Sequence, residues 1–248
     1  MDAGKEFEQR VFAKVNAPEI LREELRRPKW HGESIATASD PYEPAEAQYG
    51  LTRRIIQVLA EFQNPASITT KGVLVRRDVD VLGELYQRAD VQVIFSVGSI
   101  DDQVWRRTEP GTPRPLARLE AMQYLVENGI PAGVMMAPLL PGISDSSESI
   151  EAVVEAAAEH KAQFLSANLL FLKPGSKEWF MPLIRETYPH LTPGYNRLYR
   201  GNTYAPKEYT KQVLKLVEEA RHRWELPPAC PPRQLKGPQR QLEMVLRP

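Results

Sequence analysis

The residues with the most chemistry to offer stand just after short apolar runs. One run is followed by Ser39-Asp40-Pro41-Tyr42-Glu43-Pro44 and then Glu46. Others end in Thr69-Thr70-Lys71, in Ser96-Val97-Gly98-Ser99 with Asp101 and Asp102, in Ala137-Pro138, and in Lys173-Pro174-Gly175-Ser176. Glu109-Pro110-Gly111-Thr112-Pro113 and Arg118 follow the second of these, and Pro141-Gly142-Ile143-Ser144-Asp145 the third. A lysine can meet a carboxylate, while Ser and Asp can meet an amine or ribose hydroxyls. A lysine, several hydroxyls and a carboxylate on one rim suit a small zwitterionic ligand. Lys71 has a second role open to it as a Schiff-base nucleophile, since Arg76 and Arg77 are near in sequence and neighbouring cations activate an amine. Each group also has a structural role open to it. Ser39 or Asp40 can cap a turn, Glu109 and Arg118 can pair to hold the 108–116 loop, and the Pro-Gly pairs at 110–111, 141–142 and 174–175 are turn formers.

Parallel α/β folds bring strand ends together on one rim, so the pattern of elements matters. β-Rich runs are Val11–Val15, Ser34–Ala38, Ser67–Thr70, Val91–Val97, Gly133–Ala137 and Phe164–Phe171. Helical periodicity lies between them over 51–62, 78–89, 116–127 and 148–160, with a further amphipathic helix over 207–225. Asn16 with Glu19, and Asp145 with Glu148, read as helix N-caps; Asn128-Gly129 reads as a C-terminal stop. The runs look continuously apolar, which predicts a parallel sheet buried on both faces. The expected fold class is α/β, a partial (β/α)6 TIM-type barrel of parallel strands. It divides into a barrel over 1–205, a C-terminal helix over 206–225 and a Pro-rich extended tail over 226–248. Tyr195, Tyr199 and Tyr204 read as packing residues of an irregular C-terminal segment.

Composition narrows the function classes. The 248 residues carry 32 Lys+Arg against 32 Asp+Glu, so global charge gives no argument for nucleic acid, and only a local basic cleft stays open. The arginine-rich stretches 22–27 and 233–240 read as solvated faces and tail. The one cysteine, Cys230, cannot form an intrachain disulfide or a cluster cage, and His31, His160, His190 and His222 lie far apart, so no metal site is expected. The N-terminal MDAGKEFEQR has no apolar core of a secretory signal and no apolar run is long enough to span a bilayer, so the expected location is cytoplasmic, with no membrane partner.

Five segments stand in an order that resembles radical S-adenosylmethionine (SAM) proteins of the spore-photoproduct-lyase-like group. They are Lys14–Glu19, Ser39–Glu46, Ile68–Lys71, Glu109–Pro113 with Arg118–Ala121, and Ala137–Asp145, and the likeness covers roughly residues 2–205. The resemblance implies a partial barrel binding SAM and a [4Fe–4S] cluster, whose reductive cleavage of SAM yields a 5′-deoxyadenosyl radical. It places Ser39, beside Asp40, near the SAM amino group and Lys71 and Ser96 near its carboxylate. Arg118 and Glu109 would organise the same rim, and backbone around Ala137 would lie near the adenine. The Cys-x3-Cys-x2-Cys cluster loop of that group is missing here, as is its first strand. The resemblance therefore implies a chain begun beyond that loop, or a SAM- or nucleotide-binding barrel without catalysis. It leaves the substrate open, nucleic acid included.

Overall fold

Strands form where β-branched and aromatic residues cluster between polar breaks. The computed structural model describes residues 13–27 and 40–230. Its strands are β1 (Ala66–Thr70), β2 (Val91–Ser96), β3 (Ala132–Leu139) and β4 (Leu165–Leu169). They make one parallel sheet in the order β1-β2-β3-β4. Its helices are α1 (Ala17–Leu25), α2 (Glu46–Tyr49), α3 (Leu51–Glu61), α4 (Val79–Arg88), α5 (Asp102–Thr108), α6 (Pro115–Glu127), α7 (Ser147–Glu159), α8 (Ser176–Thr187), α9 (Thr192–Leu198) and α10 (Lys207–Arg223). A 3₁₀ turn at Val73–Asp78 joins β1 to α4. The fold is α/β, as the alternating periodicities predict. Among the described residues no helix is long and apolar enough to cross a membrane.

The sheet is parallel but not equally buried on its two faces, which corrects the reading of the strands as continuous apolar runs. Paired in register, Ile68, Val93, Phe95, Ala132, Val134 and Leu165 form a closed face. Helices α4, α6, α7 and α10 pack against the sheet. Ser67, Thr69, Gln92, Ile94, Met135 and Ser166 share the opposite, half-buried face. Ile94 and Met135 sit on that open face and mask the alternation in the sequence.

Local readings shifted where a neighbour outcompeted the expected partner. Residues 13–15 of the expected first strand lead through a turn into α1, and Ser34–Ala38 lies outside the described residues. Asn16 occupies the N-cap of α1 without a capping hydrogen bond. Pro18 stands at the second helical position and removes one of the two N–H groups such a cap engages. Ser146, not Asp145, caps α7, accepting from the Ser149 N–H at 3.1 Å. Asp145 is thereby free to accept from the Gly142 N–H at 2.7 Å and the Tyr209 hydroxyl at 2.5 Å. α3 buries Ile56, Val58, Leu59 and Ala60, while Ile55 is only partly buried against the core. α10 buries Val213, Val217 and Ala220 in the same core as α7 and β4.

Two helices, α5 and α8, have no counterpart among the helical periodicities read from the sequence. α5 has no buried residue, so it shows no apolar stripe, yet Asp101 caps it by accepting from the N–H groups of Gln103 and Val104. α8 carries Pro182 in its interior, a residue that argues against a helix in any sequence reading. Tyr195 and Tyr199 pack in the core, as expected, but on and at the end of α9, while Tyr204 is 66% exposed.

Candidate functional site

Lys71 directly follows β1, and its backbone N–H is held by Asp40. The Asp40 carboxylate accepts from the Lys71 N–H at 2.7 Å, the Thr70 hydroxyl at 2.6 Å and the Tyr42 N–H at 2.9 Å. Asp40 thus works as a buckle for the strand end, closer to its structural role than to a ligand contact. Its own loop is fastened in turn. Buried Glu46 accepts from the Thr52 N–H at 2.9 Å and from Arg77 at 2.8 Å, and buried Asp78 accepts from Arg77 at 2.8 Å and Arg53 at 3.2 Å. Two buried carboxylates are tolerable only because arginine forks satisfy them.

The Lys71 ammonium meets Glu109 at 2.7 Å, and the second Glu109 oxygen meets Arg118 at 2.7 Å. Arg118 is 1% exposed. Besides Glu109 it donates to the Ser96 carbonyl at 2.8 Å, the Pro113 carbonyl at 2.8 Å and the Thr112 hydroxyl at 2.5 Å. One guanidinium therefore ties the end of β2, the 108–114 loop and Lys71 together. The Ser96 hydroxyl donates to the Ala137 carbonyl at 2.6 Å, next to the cis Ala137–Pro138 bond, where the β3–β4 register shifts. Asp40, Lys71, Glu109, Arg118, Ser96 and Ala137 form one hydrogen-bonded rim. Ser39 lies outside the described residues.

The rim borders a cavity of about 230 Å³. Lys71 and Glu109 supply its charged wall, and Trp105, Pro138, Leu140 and Phe180 its apolar one. Trp105 and Phe180 come from α5 and α8, so sequence reading missed them for the reason it missed those helices. The Asp101-Asp102 pair before Val104-Trp105 was the available signal for α5. Arg76 and Arg77, candidates for activating Lys71, face elsewhere. Arg76 lies over the Tyr124 ring at 4.6 Å, and Arg77 pairs with Glu46 and Asp78. The expected turn chemistry is seen at Gly142 and Gly175, both at positive φ.

Burial pushes the Glu109 carboxyl up, but Lys71 and Arg118 outweigh it and hold it below the ordinary value. A carboxylate depressed in the folded state adds stability that is complete above its unfolded pKa of about 4.3 and is lost as pH falls through the lower folded value. Glu109→Gln is expected to lower stability by about 1–3 kcal/mol at pH 7. Denaturant titrations of both proteins should then converge as pH drops below about 4. A gap that stays constant down to about pH 3, below the unfolded value, would show that Glu109 stabilises through shape rather than charge.

No protein-family model matches the chain. An uncharacterized protein of Mycobacterium tuberculosis (strain ATCC 25618 / H37Rv) is 37% identical over 216 residues, covering 86% of this chain and 64% of its own. The chain thus spans 64% of the length of that relative. An uncharacterized protein of Methanocaldococcus jannaschii is 26% identical over 211 residues, 84% of this chain and 73% of that protein. Among solved structures, spore photoproduct lyase complexed with dinucleoside spore photoproduct superposes with a TM-score of 0.66 at 16% identity. The match covers 89% of this chain and 67% of the lyase. A doubly substituted mutant of that lyase, with bound AdoMet and dinucleoside spore photoproduct, gives the same TM-score and identity. At such identities the likeness is one of fold.

Proposed function

We propose that this chain is the SAM-handling part of a radical SAM barrel. The observation that carries the reading is the Lys71–Glu109–Arg118 chain, whose Lys71 and Glu109 line a cavity together with the apolar Trp105, Pro138, Leu140 and Phe180. Such a lining suits a ligand with an amino-acid end and a flat apolar body. The fold shared with a lyase solved with bound AdoMet supports it.

The residues present fit SAM. Lys71, 30% exposed, can turn to a ligand carboxylate while Arg118 keeps Glu109 in place. Glu109 then stands free to accept from an ammonium, and Trp105 and Phe180 exclude water from the ligand body. When bound, SAM would supply the radical-forming chemistry; the protein supplies orientation and dryness. The residues present do not fit a [4Fe–4S] cluster. Cys230 is the one cysteine of the sequence, burial raises its thiol, and no group of three His, Cys, Asp or Glu among the described residues could hold a metal. In this reading the cluster loop belongs to a longer form of the protein. The single cysteine equally favours a second reading, a SAM-binding barrel without radical chemistry.

Two experiments decide. Equilibrium dialysis of the chain against labelled SAM should show binding that Lys71→Gln weakens about tenfold or more, the worth of one charge-assisted hydrogen bond. Undiminished binding by that variant, or none by the parent, removes the proposal. The coding sequence read in frame upstream of Met1 separates the two readings. A Cys-x3-Cys-x2-Cys loop there supports the radical enzyme, and a stop codon without one supports the binding barrel.

A further inference from the structure

Beyond the cavity, the chain leaving β4 carries an exposed aromatic pair. Phe171 and Tyr204 are 47% and 66% exposed, their ring centroids are 5.9 Å apart, and their backbones form an isolated antiparallel bridge. The Lys173 ammonium lies 5.7 Å from the Phe171 ring centre. Large rings left in water on a well-packed domain mark a contact surface rather than a packing site.

Tyr204 also lines a groove of about 620 Å³ shared with Arg197, Arg200 and Lys207, and no acidic residue lines it. All three cations are exposed, and none has an ion-pair partner among the described residues. Several other surface arginines are neutralised, although exposed Arg26, Arg185 and Lys211 have no ion-pair partner among the described residues either. Arg22 and Arg27 of the arginine-rich 22–27 stretch pair with Glu61 and Glu24, and Arg88 and Arg223 pair with Glu84 and Glu151. What sets this groove apart is that three such cations line it together with no carboxylate among its lining residues.

We propose that the groove and ring pair bind single-stranded nucleic acid. Phosphates would meet Arg197, Arg200 and Lys207, and an unpaired base would stack on Tyr204, backed by Phe171. A duplex keeps its bases within its own stack and offers no free face to the rings. An acidic peptide would use the cations but leave the rings idle. The inference goes beyond the SAM reading and does not depend on it, because none of the groove residues lines the smaller cavity.

The test is fluorescence anisotropy of the whole chain with labelled dT15, rU15 and a matched duplex, across a salt series and without SAM. Binding should favour the single strands. The combined Arg197→Gln, Arg200→Gln, Lys207→Gln protein should flatten the salt dependence by about two log units per log unit, since each phosphate contact contributes about 0.7. Tyr204→Ala should weaken binding roughly tenfold with the slope unchanged, and Tyr204→Phe should restore it. All four positions are exposed, so melting temperatures should match the parent's. Equal or better duplex binding, an unchanged slope in the charge variant, an unaffected Tyr204→Ala, or no binding at all would each overturn the proposal.

Discussion

Arg118→Leu is expected to lower unfolding free energy by about 3–5 kcal/mol, the range for breaking a buried ion pair. That corresponds to a fall of roughly 10 °C in Tm for a chain of this size. Leucine would fill much of the space but leave the Ser96 and Pro113 carbonyls without the Arg118 donor, and the Thr112 hydroxyl with only the Trp105 indole N–H at 3.3 Å. Glu109 would keep only Lys71 as a counter-ion, and half of its charge-assisted contacts would go. Arg118→Lys should recover the charge but not the fork, since one ammonium cannot reach acceptors spread around a planar guanidinium. Its stability should fall between the two. Thermal and urea unfolding of the three proteins measure this. A loss under about 1 kcal/mol for the leucine variant, the scale of an ordinary hydrogen bond, would mean the rim holds together without its arginine.

Gly72→Ala should disrupt the same rim from the other side. A Cβ at Gly72 would lie 2.4 Å from the Tyr42 carbonyl oxygen and 2.6 Å from the Tyr42 Cβ. Those atoms are backbone and side-chain stem, so they cannot rotate away; the 40–42 turn must move off the strand end. Moving it strains the packing and weakens the Asp40 bonds to Thr70 and Lys71, together about 3 kcal/mol. The expected signature is local. The Lys71 amide, held by the Asp40 carboxylate at 2.7 Å, should lose much of its protection from hydrogen exchange. Adding Asp40→Ala to Gly72→Ala should then lower stability by less than the two losses added, because both act through one contact. Full additivity, or an amide as protected as in the parent, would show that the turn does not set the position of Lys71.

Much of this architecture is legible in the sequence because it is local. Four of the six expected strands appear in the described residues, and the helices over 51–62, 78–89, 116–127, 148–160 and 207–225 appear within a few residues of their expected ends. Each owes its form to a periodicity that neighbouring residues carry by themselves. α5 and α8 were not legible because one has no buried stripe and the other holds a proline. The lysine at the end of β1 was legible as a candidate anion partner, since strand ends of parallel sheets share a rim.

What the amino-acid sequence determined alone is therefore the order of elements, the parallel sheet and the residue types delivered to its rim. What only the tertiary structure decided is how those residues divide the work. Lys71, Glu109 and Arg118 are separated by 38 and 9 positions, and their pairing depends on the path of the intervening loops. Asp40 is a buckle because Thr70 and Lys71 reach it first. Arg197, Arg200 and Lys207 stand without an ion-pair partner among the described residues because the fold brings no carboxylate to their groove. Charge pairing acts over a few ångströms of space, and distance along the chain does not report it.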